Sequence, residues 1–460
     1  MKYIIYGLIH KYLKKLLRRN ITNDSYKMVN ISYDNYLKNK IELIKGIDEG
    51  NYINNLTDSS NGINLKDFYP IENIVPKGSF SFLKETYVKK NKIILKKMGV
   101  SIENCESIWL EFIKNSKISS EYKYGDLHYA GFIWEVNEWC LPSWIWTNAA
   151  IVKMYCTLNK IKEAKELANN IIQYQEQCGG WIVRNDYDNF GATPVLAPND
   201  SAYLANNCYV EIYLKTKEEK YLNVALKCAD WIIKTAREDG LVFVGYDTKR
   251  NMWLKDYNIV DIGFTAGLFS RLYIITKKSD YKDFLERFLS KYIELYYIKD
   301  KNGFATSLDA NDKTQGGMFG RGQAWALEGL IPAYEVFPNK ELKSLIDNII
   351  KMLIKKQTKS GGWPYNLSRK MMGIDCKATS VIACSLIEWY FINGEDENLK
   401  KASERALKWC LENTANEGKQ KGGIFSYTIE GAIVHHLYTN TAFVYSNAYA
   451  IRLKEMLNRL

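Results

Sequence analysis

Trp146, Asp200, Asp261, Arg321 and Asp375 follow one another at intervals of 54, 61, 60 and 54 residues, and each opens a stretch that turns apolar. Three carboxylates, a guanidinium and an indole are a set that could do sugar chemistry. Carboxyl groups exchange protons with a substrate, arginine pairs a carboxylate through charge-assisted hydrogen bonds, and Trp146 and Trp325 offer flat faces to a ring. The bland alternative is that each aspartate simply caps a helix, which Asp does well. Arg321 escapes that alternative, because a helix N-terminus favours anions over cations. It lies in Gly320 to Leu330, which reads Gly-Arg-Gly-Gln-Ala-Trp-Ala-Leu-Glu-Gly-Leu. An arginine there, with acids at the equivalent place in other repeats, argues for a site rather than for caps alone. Asp186, Asp188 and Asp309 read as loop residues, and Glu218-Glu219 and Glu395-Asp396-Glu397 as solvated acids at helix starts.

The elements that must position these residues repeat as well. Glycine-aromatic punctuation recurs at Gly179-Gly180-Trp181, Gly240 to Phe243, Gly303-Phe304, Gly361-Gly362-Trp363 and Gly422 to Phe425, with a weaker copy at Gly131-Phe132. Each is preceded by an amphipathic, charged segment such as 221–234 and followed by a more apolar one such as 381–390. Two helices per repeat of this length indicate a helical repeat architecture. The amphipathic helices belong outside and the apolar ones inside. Six of each predict an all-α fold, a closed (α/α)6 toroid of six helical hairpins over residues 83–460, with the last inner helix (441–457) beside the first outer one (83–116). An open solenoid would leave two apolar ends uncovered. In the toroid all inner helices run the same way, so the five positions crowd around one mouth, where six helix N-termini favour an anionic ligand.

Residues 1–82 read as an N-terminal extension. Its first twenty residues hold Lys2, Lys11, Lys14, Lys15, Arg18 and Arg19 and no acid, so the net charge of +11 is concentrated at one end. Ile5, Leu8, Ile9, Leu13, Leu16 and Leu17 fall largely opposite the basic residues, a pattern for a helix that docks on its own domain or lies on an anionic membrane surface. No apolar run is long enough for a transmembrane helix or a secretory signal. The rest of the chain has little basic excess, which speaks against nucleic-acid binding. Nine cysteines occur singly, without a C-x-x-C pair, the pattern of reduced cytoplasmic thiols rather than of disulfides or a zinc site. Of His10, His128, His435 and His436 only the last two are neighbours, so no metal and no cofactor is expected.

With these residues in view, the chain resembles the unsaturated glucuronyl hydrolases and unsaturated rhamnogalacturonyl hydrolases of glycoside hydrolase families 88 and 105. Arg321-Gly322-Gln323-Ala324-Trp325 is similar to the family's Arg-Gly-Gln-Ala-Trp segment and Trp146-Thr147-Asn148 to its early tryptophan motif. Asp200 and Asp261 fall where the family carries two essential aspartates, and Asp375 with Thr379, Ser380 and Ala383 resembles its later helix start. The resemblance covers about residues 85–460. It implies hydration of a 4,5-unsaturated uronic acid at an oligosaccharide end, with Asp261 as general acid and base and Asp200 steadying the ring. Trp146, Asn199, Arg321, Gln323, Trp325 and Asp375 are then expected to bind substrate. An acid in this role needs a raised pKa, which an apolar mouth supplies. Two carboxylates alone would equally suit ordinary glycoside hydrolysis. A different class of function also fits: a non-hydrolytic protein of capsule or exopolysaccharide assembly, held at the inner membrane face by residues 1–20.

Overall fold

The computed structural model describes residues 98–460 apart from the short segments 122–123, 134–137, 141–143, 187–190, 249, 256, 316, 369–373, 395 and 427–440. The expected extension over 1–82 and its basic helix lie outside the described residues, as do residues 83–97 of the expected first outer helix. That helix begins at Cys105, because Met98 pairs with Ala415 in a β-bridge and the chain turns before it.

Within them two kinds of helix alternate. The amphipathic kind comprises α1 (Cys105–Asn115), α3 (Ile161–Ile172), α6 (Glu219–Thr235), α8 (Ser279–Tyr296), α10 (Lys340–Lys356) and α12 (Glu397–Glu412). Each buries one stripe, as α6 does with Tyr221, Leu222, Ala225, Cys228, Ala229 and Ile232, because apolar residues at three- and four-residue spacing share a face. The apolar kind comprises α2 (Trp146–Thr157), α7 (Phe264–Thr276), α9 (Gly320–Val336), α11 (Cys376–Asn393) and α13 (Val444–Leu457). Its second member is composite: α4 (Pro198–Leu204), a π-helical turn over Ala205–Val210, and α5 (Glu211–Thr216). In α11 every residue from Cys376 to Ile387 is buried, so these helices are wrapped on all sides and form the inner ring. The all-α (α/α)6 toroid expected from the repeat is the fold.

Closure is visible at three places. Helix α13 packs against both α11 and α2, and also touches α1. Strands β1 (Gly131–Ile133) and β2 (Glu138–Cys140) from the first hairpin share an antiparallel sheet with β12 (Phe425–Ser426) and β13 (Thr441–Phe443) from the last, in the order β12-β13-β1-β2. The punctuation glycines supply the third. A Cβ on Gly179 would come within 2.4 Å of Lys227 O on α6, one on Gly361 within 2.1 Å of Arg405 O on α12, and one on Gly422 within 2.3 Å of Ile108 O on α1. Each thus lies against the next repeat's outer helix at positive φ, a place only glycine fills without strain. Gly422 makes the sixth repeat's contact with the first.

The short strands were not anticipated. Besides the sheet above, β3 (Ile182–Asp186), β4 (Gly191–Leu196), β5 (Tyr246–Asp247) and β6 (Met252–Trp253) pair in that order. Strand β10 (Ser307–Asp309) lies between β11 (Thr314–Gln315) and β7 (Tyr257–Ile259), and β8 (Tyr297–Ile298) pairs β9 (Gly303–Phe304). Asp186 and Asp309, expected in loops, are strand residues. Asp309 holds the β10–β11 turn by accepting from Asn311 N at 2.8 Å and Lys313 N at 3.0 Å. Most of these strands lie in connections from an outer helix to the following inner one, and so stitch neighbouring hairpins around the mouth.

Candidate active site

The inner-helix starts place the three aspartates differently. Asp375 caps α11, its Oδ1 accepting from Lys377 N at 3.0 Å, and its Oδ2 lies 3.2 Å from Arg321 Nε. Asp200 is the third residue of α4, where Ala197 stands at the cap and Pro198 takes the first turn, a place suited to proline. Asp261 sits inside a 3-10 turn over Val260–Gly263 that precedes α7. Neither stands at an N-cap position, which Ala197 and Ile259 occupy, and they are only 5% and 2% exposed. Of the three, Asp375 alone is an N-cap residue.

Packing seats the Asp261 turn firmly. Tyr292 of α8 donates its hydroxyl hydrogen to Val260 O at 2.7 Å. On the other side Gly322 admits Val260, whose Cγ1 would lie 2.6 Å from a Cβ there. The glycine after Arg321 thus serves close approach between the third and fourth hairpins. Arg321 itself, 5% exposed, is sandwiched by Phe319, Trp325 and Tyr365, whose ring centres lie 4.6, 5.3 and 5.9 Å from its guanidinium carbon. Such stacking suits the weakly hydrated guanidinium.

An aromatic belt joins the inner helices just below these residues. Trp146 stacks on Trp144 at 5.4 Å and meets the edge of Tyr445 at 5.2 Å. Tyr445 lies 6.3 Å from Tyr203, Tyr203 4.7 Å from Phe264, and Phe264 5.8 Å from Trp325. Trp146 and Trp325 are half-buried. In the fifth hairpin the belt is completed by the buried Lys377, whose Nζ lies 3.6 Å from the centre of the Phe443 ring.

The sequence profile of glycosyl hydrolase family 88 matches residues 132–451. The chain belongs to that family. No curated protein sequence matches it. Among solved structures, an unsaturated glucuronyl hydrolase specific for heparin superimposes with a TM-score of 0.61 at 14% identity, over 78% of this chain and 96% of the other. An unsaturated glucuronyl hydrolase from Bacillus sp. GL1, responsible for the degradation of glycosaminoglycan, gives 0.59 at 16% identity with the same coverage. A family 76 α-mannanase from Bacteroides thetaiotaomicron also gives 0.59, at 14% identity and the same coverage. Shape alone therefore does not separate these enzymes, and the family profile does.

Two expected substrate contacts of this family 88 hydrolase turn out otherwise engaged. Gln323 is fully buried. Its Oε1 accepts from Phe304 N at 2.7 Å, and its Nε2 donates to Phe304 O at 2.8 Å and to Phe319 O at 3.1 Å. The same device recurs around the ring: Asn148 accepts from His128 N, Ser201 from Trp181 N, Thr379 from Trp363 N and Asn447 from Ile424 N. Gln323 is the fourth hairpin's version of that strap and holds backbone, not sugar. Asp375, likewise expected to bind substrate, is occupied by its helix and by Arg321, which it orients. Asn199 is fully buried beside Asp200, and neither of its amide atoms finds a hydrogen-bond partner among the described residues.

Deeper on the axis the family 88 fold holds a second polar cluster that sequence reasoning passed over. Each inner helix contributes one charged residue to it: Lys153, Glu211, Arg271, Glu328, Glu388 and Arg452. Arg271 Nη1 lies 2.5 Å from Glu211 Oε1 and Arg452 Nη2 3.0 Å from Glu388 Oε1. Lys153 Nζ stands between the two carboxylates, 4.0 Å from Glu211 and 3.9 Å from Glu388. Burial pushes the Glu211 carboxyl up, but Arg271 and Lys153 overcome it and hold it at about 2. Glu388 is likewise held low, against burial, by Lys153 and Arg452. Glu328 differs: its hydrogen-bond partner is the neutral Tyr449 hydroxyl, and burial raises its pKa, with Lys153 and Tyr449 only partly offsetting the rise. Lys153 and Arg271 are the lone charges of α2 and α7, whereas the other four share their helices with further charged residues.

Proposed function

We propose that the chain cleaves oligosaccharides that end in a 4,5-unsaturated uronic acid, by hydrating the double bond. The observation that carries this is the pair Asp200 and Asp261, two buried carboxylates in the first turns of adjacent inner helices, beside the half-buried Trp146 and Trp325. Membership of family 88 supports the substrate class. So does a solved neighbour complexed with a dGlcA-GalNAc6S disaccharide.

In this reading the uronate ring lies between Trp146 and Trp325, and its carboxylate is favoured by the helix N-termini that converge there. Asp261 gives its proton to C4 while the π electrons of the C4–C5 bond move to take it, and cationic character develops at C5, shared with the ring oxygen. The ionised Asp261 then takes a proton from water as that water adds to C5. Asp200 steadies the ring and the developing charge. The resulting hemiketal opens to a C5 ketone as the bond from C5 to the ring oxygen breaks and that oxygen gains the hemiketal proton. C1 is then a hemiacetal, whose glycosidic C1–O bond breaks as the C1 hydroxyl gives its proton to the leaving oxygen, releasing the sugar and leaving a C1 aldehyde. Arg321, fixed by Asp375 and its aromatic cage, contributes a positive charge to the wall.

The test is incubation with lyase-generated unsaturated disaccharides while following the ultraviolet absorbance of the conjugated double bond. Loss of absorbance with the wild type and none with Asp261→Asn is the expected result. Full activity in Asp261→Asn, or no turnover on any uronide of the panel, would sink the proposal.

A further inference from the structure

The three polar side chains that connect the charged ring to the mouth form a file. Tyr449 donates to Glu328 Oε1, and its hydroxyl lies 3.0 Å from that of Tyr203. Tyr203 stands one helical turn below Asp200 on α4, and its ring packs on Phe264, one turn below Asp261 on α7. Glu328 lies two turns below Arg321 on α9, about 10 Å deeper along the axis. Both ends of the file are thus tied to helices that carry the mouth.

We propose that Glu328 is a positioning residue of this hydrolase: through Tyr449 and Tyr203 its carboxyl sets the electrostatic balance beneath the mouth, and with it the affinity for an anionic sugar. The inference rests on reading the mouth as a uronate site. Three cations, Lys153, Arg271 and Arg452, share the ring with three carboxylates, so the ring is neutral when all are ionised. Lys153 faces Glu328 from α2 and Tyr203 from the composite second helix. Helix α11 adds Glu388 and Cys384, and α13 adds Arg452, Tyr445 and Tyr449. Glu211 and Glu388 each have a cation beside them and stay charged. Glu328, bonded to a neutral hydroxyl, is the carboxyl that takes up a proton first as pH falls. Its pKa is raised, so the proton is gained above the ordinary carboxylate range. The ring then carries one net positive charge, and an anion above it is held more tightly.

The experiment measures the dissociation constant of D-glucuronate by calorimetry from pH 8 to pH 5, with glucose as the uncharged control, alongside KM and kcat on an unsaturated disaccharide. The wild type is expected to bind glucuronate about three- to tenfold more tightly at the acid end. Glu328→Gln, which keeps the shape and removes the charge, is expected to show the tighter value throughout, with KM lowered at neutral pH and kcat little changed. Tyr449→Phe removes a hydrogen bond that favours the ionised carboxylate, so the transition should move to higher pH. It also serves if the glutamine variant does not fold. A Glu328→Gln profile parallel to the wild type, or a Tyr449→Phe transition left in place, overturns the inference while leaving the substrate reading intact. Absence of glucuronate binding to the wild type overturns both. Glu328-dependent binding without turnover supports the inference and removes the proposed reaction.

Discussion

The mouth and the buried ring are built from the same six inner helices, yet they treat charge in opposite ways. In the ring Glu211 and Glu388 each find a cation on a neighbouring helix, and Glu211 is held at about 2 as a result, while Glu328 bonds a neutral hydroxyl. At the mouth Asp200 and Asp261 stand in the first turns of successive inner helices, past the cap positions that Ala197 and Ile259 hold, while Arg321 and Asp375 are bound to each other. Complementary charges close the axis, whereas the mouth gathers carboxylates at successive helix starts. The difference teaches that charge inside a helical toroid is read by its partners, not by its depth.

The comparison can be broken first at the mouth. Asp261→Asn is expected to lower kcat/KM on an unsaturated uronide by about 10³- to 10⁴-fold, with the urea unfolding midpoint nearly unchanged. A large loss of stability instead would make Asp261 a structural residue like those of the ring. Arg271→Met is the converse: it leaves Glu211 partly buried without its closest cation, which costs about 3 kcal/mol in urea unfolding at pH 7. The contribution has a definite pH window. Glu211 has a folded pKa of about 2, below its unfolded value of about 4.3, so its stabilisation is complete above that value and lost as pH falls towards 2. The gap between wild type and Arg271→Met should therefore narrow over that range, and a gap constant with pH would exclude the ion pair as its cause.

Gln323→Ala sharpens the line between the two regions. It strands the buried Phe304 N–H, costing about 1–3 kcal/mol of stability, and KM measured on the folded protein should stay within about twofold. A selective tenfold rise in KM would return Gln323 to the substrate. Asp375→Asn is the smallest change in shape. It retains a capping side chain but removes the carboxylate charge beside the buried Arg321, so about 3 kcal/mol of stability is expected to go, read as a fall in thermal midpoint.

Much of this was legible in the chain. The glycine-aromatic punctuation and the apolar stretches after it placed six hairpins, and the inner helices start within a few residues of Trp146, Asp200, Asp261, Arg321 and Asp375. The role of Gln323 was not, because a motif residue beside Arg321 looks functional until its partner, nineteen positions upstream, is known. The ring was hidden for a related reason. Lys153 and Arg452 are almost 300 residues apart, and a charge in an apolar helix carries no sign of what faces it. The small strands escaped because two or three residues hold too little alternation to be seen.

The punctuation glycines have one more consequence. In an open stack of repeats, stability grows unit by unit and an end can fray without troubling the rest. Here Gly422 sets the sixth repeat on the first repeat's outer helix, so there is no end to fray from. Loosening any one hairpin opens two interfaces at once and releases the convergence of all six helix starts. The unfolding unit is then the whole ring, and a substitution far from the mouth, at any of these contacts, is felt there as a loss of geometry.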